Sequence, residues 1–396
     1  MLHLVNQSRL SDWPYKPIIA NAYIGQFAMV QALKAGTDIV IAGRATDAGT
    51  TQAIATWWHG WGEDDYDKHA MGLLAGHLIE CGTYVTGGNF CGFKRIEPYV
   101  DLAFPIAEVH NDGHCVITKQ PGQNGCVSTD TVRCQLVYEI QGRYYYNPDV
   151  IADLSSLTVS QQAKDRVSLS GFRGFQPPQT LKVAVQAYAG YQAEILIYAV
   201  GLDVEKKAES FELQTRKMLK EVHGGEEALK VSIELIGSCK LDPKSQASAT
   251  TVIRVFAQAT KKETLSHSKF MFPVIENLCQ AFPGFIPNLE YLRTSQPKPY
   301  LSYFPCLLDR AKVDMQVHFL GQTETMVVRH GPGAESIKQE DYEPKDPLTW
   351  RHLEQPLKFL SATKYLRDLV IKGQMSMLDS FPRQILRRNG TGYAPF

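Results

Sequence analysis

No apolar run in the 396-residue chain approaches the ~20 residues that cross a bilayer. Met1 to Ser11 has neither the apolar core nor the cleavage pattern of a secretory signal. A membrane-spanning or secreted protein is therefore disfavoured, and a soluble, cytoplasmic one is expected. Charge of one sign is nowhere concentrated: 41 Lys and Arg balance 41 Asp and Glu without a long block of either. Such a chain has no field to hold nucleic acid or an anionic membrane face. The eight cysteines form no CxxC pair and no regular spacing, and a chain of this size needs no staples, so they read as reduced, mostly buried thiols. There is no GxGxxG after a strand, no Walker phosphate loop, no GxSxG elbow and no HExxH. Nicotinamide, nucleotide-triphosphate, α/β-hydrolase and zincin chemistries fall with them, and no cofactor or metal is expected.

What the chain does have is apolar material, 44% of its residues, and a length beyond the ~250–300 residues at which single cores stop growing. The organisation expected is an α/β domain over 1–150, a strand-rich connection over 151–179, an α+β domain over 180–320 and a tail over 321–396. Helices are expected in the tail between Asp346 and Leu386, with Arg383, Arg387 and Arg388 on a solvated face.

Polar groups cluster in the first domain where apolar elements end. Ile18 to Ala22 is a short apolar run, Phe27, Val30 and Leu33 follow at helical spacing before Gly36, and Ile39 to Ala42 is a second apolar run. This predicts a βαβ unit. Parallel strands with a right-handed crossover place both carboxyl ends on one sheet edge, where ligands of open α/β sheets sit. The residues expected at that edge are Asn21 and Tyr23, then Arg44, Thr46 and Asp47, with Asp47 placed to cap the helix that runs toward Trp57 and Trp58. An Arg44–Asp47 ion pair plus a cap, with no ligand, explains the same residues.

Further along, a helix is expected over Asp65 to Cys81, and a hairpin turning at Asn111, Asp112 and Gly113 between Ile106 and Lys119. A helix should follow the cap cluster Ser128, Thr129 and Asp130. From Thr180 the order is two strands (Leu181 to Tyr188, Glu194 to Val200), a helix (Val204 to Val222), two strands (Leu229 to Ile236, Thr250 to Ala257) and a helix (Glu263 to Phe282). That succession suits an antiparallel sheet with helices on one face. The fold class is thus α/β, a βαβ-containing open-sheet domain followed by a ferredoxin-like α+β sandwich.

Three further features can carry chemistry. His77, Glu80 and Cys81 share one helix face; Glu80, flanked by Leu78, Ile79 and a thiol, can have its pKa raised by desolvation and act as an acid near neutral pH, whereas a buried tied carboxylate is the plain alternative. A zinc site there would need further ligands from Cys91, His59 or Asp64, whose spacing is unlike any familiar set. Thr86, Gly87, Gly88 and Asn89 offer backbone N–H groups that can cradle an anion, or else form an ordinary glycine turn. Trp57, Trp58 and Trp61 with Phe90 and Phe93 can line an apolar cavity or simply be core.

The runs ANAYIG (Ala20 to Gly25), AGTDIVIAGRATDAG (Ala35 to Gly49), WWHGW (Trp57 to Trp61), AGHLIECG and TGGNF (Ala75 to Phe90), and later KQPGQNGCVSTDTV, YEIQG and YYNPDVIADL, resemble the acyclic terpene utilisation family. The resemblance is dense over residues 17–155, continues to about 320 and is lost in the tail. Members carry a further amino-terminal segment, so the resemblance implies that part of the family's sheet is absent here. It also implies a part in breakdown or remodelling of isoprenoid and branched acyl compounds, without handing over a mechanism.

The expected function is a cofactor-independent enzyme acting on a hydrophobic, carboxylated isoprenoid by lyase, isomerase or cyclisation chemistry, even pericyclic. Asn21, Arg44, Gly88 and Asn89 would hold the polar group, Asp47, Glu80 or His77 would move a proton, and the tryptophans would shape the hydrocarbon. An acyl-CoA enzyme of branched-acid catabolism is the second reading, and a non-catalytic assembly subunit the third. The expected partner is a small hydrophobic substrate, with an exposed sheet edge favouring a homodimer.

Overall fold

The computed structural model describes residues 1–334 apart from Gln141, 226–227, Cys239, 277–281 and Leu289. The expected tail helices and their arginines lie outside the described residues. Helices and strands occur in similar measure, and the paired strands are antiparallel wherever their register is defined, which is the mixed α/β class expected. The chain divides into two units, one built from Asn21–Val183 with the segment beginning at Cys306, the other from Leu2–Ala20 and Ala184–Pro305.

The expected βαβ unit is corrected. Strand β1 (Pro17–Ala22) and helix α1 (Phe27–Lys34) form, but residues 39–42 make no strand, and Ile39 and Ile41 are 81% and 95% exposed. An apolar run of that length carries hydrophobicity but no pairing partner, and without one its backbone groups stay with solvent. Ile18 and Ile19 in β1 are likewise exposed.

The first unit is organised around helix α3 (Tyr66–Ile79), buried continuously from His69 to Leu78. Such a helix is apolar on every side because it has neighbours on every side. It packs against α2 (Gly49–His59), α4 (Thr129–Leu136), β2 (Pro105–Val109), β3 (Cys115–Lys119), β5 (Ile151–Asp153) and β8 (Arg173–Phe175). Strands β2, β3, β7 (Arg166–Ser170) and β6 (Thr158–Ala163) form one sheet, in the order β2-β3-β7-β6. Strand β4 (Tyr144–Tyr146), β5 and β8 form another. The hairpin at Asn111 to Gly113 pairs Val109 with Cys115 and Pro105 with Lys119. Helix α4 opens with a reciprocal capping box between Ser128 and Thr131, satisfying two donors that a helix start leaves unpaired.

In the second unit, the two strands expected from Leu181 to Val200 are a single long strand, β9 (Thr180–Val200). Helix α5 (Val204–Val222) follows, then β10 (Lys230–Ile236) and β11 (Thr250–Ala259), with β11 inserted between β9 and β10. Register matches Ile197 to Ile253 and Ile195 to Val255, so one face alternates into the core under Val204, Phe211 and Leu219 of α5. Strands β1, β12 (Phe285–Pro287) and β13 (Lys298–Asp309) also join β9. The helix expected over Glu263 to Phe282 is broken: a 3-10 turn over Lys262–Leu265 and a π-helical turn over His267–Met271 precede a short α6 (Phe272–Glu276), and 277–281 lie outside the described residues. Pro273, within that span, cannot sustain a long helix interior.

Candidate active site

The two ends of a close helix contact assemble the site. A side chain at Gly76 of α3 would begin 2.6 Å from the Ala48 carbonyl, so only glycine lets the start of α2 approach this closely. That approach carries the neighbouring Arg44 and Asp47 toward the C-terminal end of α3, but the shared helix face expected for His77, Glu80 and Cys81 is corrected: His77 lies in the last turn, whereas α3 ends at Ile79, Glu80 is extended and Cys81 has a φ of +58°. Asp47 does not cap α2; the cap position is Ala48, with no side-chain bond, and Asp47 instead accepts from Arg44 Nη1 at 2.5 Å. Both side chains are about half exposed (59% and 42%), a geometry in which the pair itself stabilises little.

Charge gathers here. Burial raises the Glu80 carboxyl above its ordinary value; the Cys81 thiol, donating to Glu80 Oε2 at 3.1 Å, works against the rise, while Asp47 and Glu139 add to it and Arg44 opposes it. Cys81 is pushed up to about 11 by burial and by the same carboxylate. The Tyr138 hydroxyl sits 4.0 Å from the Cys81 sulfur, and its own pKa is raised, first by burial. Tyr145 is raised by burial and by the charges of Asp47, Glu80 and Glu139. Glu80 thus has a raised pKa among groups that all feel Asp47 or Glu139.

His77 lies beneath this cluster. Its Nε2–H donates to the Gln135 carbonyl at 2.9 Å, and Gln135 Nε2 donates back to the His77 carbonyl at 3.1 Å. This fixes Nδ1 as the acceptor nitrogen. Burial lowers its pKa, and the ring stacks on Tyr138 and tilts against Tyr145.

The other expected site residues are dispersed. Asn21 is exposed, and Tyr23 lies under Lys182, whose Nζ is 5.3 Å from its ring; among the described residues neither bonds to the cluster. Thr46 Oγ1 is buried without a hydrogen-bond partner. Trp57 and Trp58 lie on an exposed side of α2, Trp58 at 72%, whereas Trp61 is core and donates to Asn111 Oδ1. Buried Thr86 donates to the Thr83 and Ala103 carbonyls. The N–H groups of Gly88, Asn89 and Phe90 donate to carbonyls of Thr83 and Gly87, so this segment is a self-satisfied turn with Phe90 buried beneath Arg95. An open hollow of about 410 Å³ over Asp101 to Phe104 and Gly122 to Asn124 shares no residue with the cluster.

Tyr138, Glu139 and Tyr145 are participants that sequence reasoning did not single out, although they stand in the YEIQG and YYNPDV runs. A second polar group was also missed. Thr56 Oγ1 donates to Gln26 Oε1, Gln26 Nε2 to His69 Nδ1, and His69 Nε2 to the Gly62 carbonyl. The Gln26 backbone N–H donates to Asp149 Oδ2 at 2.9 Å. Asp149 is fully buried and raised to about 7 by desolvation, with Arg310 opposing. Arg310 donates to the carbonyls of Pro178 and Pro148.

Fold and site together define a mixed α/β protein whose first unit gathers carboxyls, phenols and an arginine at one helix end. The profile of the acyclic terpene utilisation family protein AtuA matches residues 2–319, and the chain belongs to that family. Membership gives it a part in acyclic terpene utilisation. No curated protein and no solved structure matches the chain. No helix among the described residues is long and apolar enough to cross a membrane.

Proposed function

We propose that the protein is an enzyme that moves a proton on a hydrophobic, carboxylated isoprenoid, shifting a double bond or initiating cyclisation. The observation that carries this reading is the joining of Glu80, whose pKa burial raises, with the Asp47 carboxylate, Arg44 and the phenols of Tyr138 and Tyr145. Arg44 orients the substrate carboxylate, Asp47 takes an allylic proton and Glu80 delivers one at the other end of the allylic system. His77 acts as a positioning residue, holding the phenols from below.

The start of α2 also supports a long substrate. Ile54 and Trp58 are exposed and four residues apart on one side of the helix, and Asp47 stands two residues before its first residue, Gly49, so the stretch from Gly49 to Trp58 spans roughly 14 Å at about 1.5 Å per residue. An extended hydrocarbon with its head at Arg44 can lie along that stripe. The acyl-CoA reading is less well supported, since the N–H groups of the glycine turn already have carbonyl partners.

The test is to incubate the protein with a panel of branched unsaturated isoprenoid acids in deuterated water and follow exchange by NMR. Deuterium should enter at an allylic carbon of at least one acid, and Glu80→Gln should slow it by about 10²–10⁴. If no acid exchanges and native mass spectrometry releases a CoA thioester instead, the acyl-CoA reading takes its place.

A further inference from the structure

Glu80 is held at one oxygen only. Its Oε2 accepts from the Cys81 thiol at 3.1 Å, and among the described residues no hydrogen bond reaches Oε1. Adjacent side chains on a helix do not face each other, so this contact depends on the backbone: α3 ends at Ile79, Glu80 is extended, and Cys81 turns into the left-handed region with a φ of +58°. A residue other than glycine is uncommon there. A thiol has a single proton to donate. Glu80 at 3.1 Å takes it, so the Tyr138 hydroxyl, 4.0 Å from the sulfur, is left to donate to that sulfur. The Tyr138 ring is itself fixed, stacked on His77 at 6.5 Å between centroids and edge-on to Tyr84 at 5.3 Å.

We propose that Cys81, backed by the Tyr138 hydroxyl, is a positioning residue that anchors Glu80 through Oε2 and leaves Oε1 as the atom that carries and delivers the proton. The inference rests on the acid role given to Glu80 above. The thiol keeps its own proton throughout. Its part is to remove the rotation that would let either oxygen present the proton, the kind of orientation from which a proton transfer gains most.

The same bond affects when Glu80 is loaded. A donor aimed at a carboxylate favours its ionised form, so the thiol restrains the rise that burial imposes. The other charged and titratable groups around Glu80 come from different elements: Arg44 and Asp47 before α2, Tyr138 and Glu139 after α4, and Tyr145 of β4. None of these is removed when Cys81 is replaced, so loss of the thiol has one direction, an upward move of the Glu80 titration.

The experiment labels the glutamate carboxyl carbons of the full-length protein with carbon-13, identifies Glu80 as the resonance absent from Glu80→Gln, and titrates it by NMR in the wild type and in Cys81→Ala, Cys81→Gly and Cys81→Ser. Glu80 should titrate at higher pH in the alanine and glycine variants and return toward the wild-type midpoint in the serine variant, whose hydroxyl restores the donor. Cys81→Gly should unfold at no lower urea concentration than the wild type, because glycine adopts the positive φ without steric cost; a merely structural role for Cys81 therefore predicts no change in that variant. Exchange on the isoprenoid acid should fall by roughly 10–10²-fold in the alanine and glycine variants, with the upper limb of its pH profile displaced in the same sense as the titration. Tyr138→Phe should displace the titration less than Cys81→Ala does, since the phenol acts through the sulfur. An unmoved Glu80 midpoint in both the alanine and glycine variants, a serine variant that behaves like alanine, or a larger displacement in Tyr138→Phe overturns the proposal. The titration needs no turnover, so the two failures separate: a wild type that exchanges no acid overturns the acid role and the proposal with it, whereas exchange with an unmoved midpoint overturns the anchor alone.

Discussion

The two units bury different things. In the second unit the core is the alternating face of β9, β10 and β11 closed by α5, and among the described residues the buried polar side chains are only Thr215, Thr251 and Ser295. In the first, the core around α3 admits Gln26, Gln52, Thr56, His69, His77, Gln135, Asn147, Asp149 and Arg310. A buried polar group is costly unless it is bonded, and those of the first unit are largely in defined networks, while Gln52, Asp149, Asn147 and Arg310 each keep one polar atom without a partner. The second unit is stabilised by apolar area; the first gives up some of that to hold charges in place, the condition for acid–base chemistry.

The largest effects should separate chemistry from stability. Glu80→Gln should lower exchange on the isoprenoid acid by about 10²–10⁴ with little change in the unfolding midpoint, read by NMR and by urea titration. Phe211→Ala, in the second core, should cost about 3–5 kcal/mol of stability and leave exchange per folded molecule unchanged. If Phe211→Ala abolished exchange in molecules shown to be folded, the contrast between the units would fail.

Gly76→Ala tests whether the helix contact positions the site. Overpacking against Ala48 should cost about 1–3 kcal/mol and slow exchange as well, because Asp47 is displaced with Ala48.

The pH dependence of stability sharpens the contrast further. Asp149 titrates at about 7 in the fold against an ordinary 3.8, so the folded chain holds the extra proton and stability falls as pH rises from about 4 to 7. His330 is pushed down to about 4 from 6.5 by burial, with Arg310 adding to the shift and Asp314 opposing it, so stability rises from about pH 4 to 6.5. The two slopes oppose in the native chain. Asp149→Asn should leave a stability that climbs between pH 4 and 6.5, by at most ~1.4 kcal/mol per pH unit, and His330→Gln should leave one that falls; thermal unfolding across that range reads both.

The smallest effect is expected at the surface pair. Arg44→Ala should change stability by less than about 1 kcal/mol yet raise KM for a carboxylated substrate; an unchanged KM would return Arg44 and Asp47 to an ordinary ion pair.

Much of this was legible residue by residue. Helical spacing placed α3 and α5, spacing with a cap cluster placed α4, and the Asn111-Asp112-Gly113 turn placed its hairpin. Glu80 was singled out for its apolar neighbours, and burial is indeed the leading cause of its raised pKa. What failed depended on partners distant in the chain. Ile39 to Ala42 had the composition of a strand but no strand to pair with, and Asp47 had the position of a cap but found Arg44. Tyr138, Tyr145, Asp149 and Arg310 gave no local signal, since their roles come from residues far away in sequence.

By itself, then, the sequence determined the elements whose stabilisation is local, namely helices with periodic faces, capped starts and tight turns, along with family membership through its ordered blocks. Only the tertiary structure decided which polar groups meet. It set Glu80 among Asp47, Glu139 and Arg44 and pinned His77 to Gln135, because desolvation and Coulomb interaction depend on distance through space and scarcely on separation along the chain.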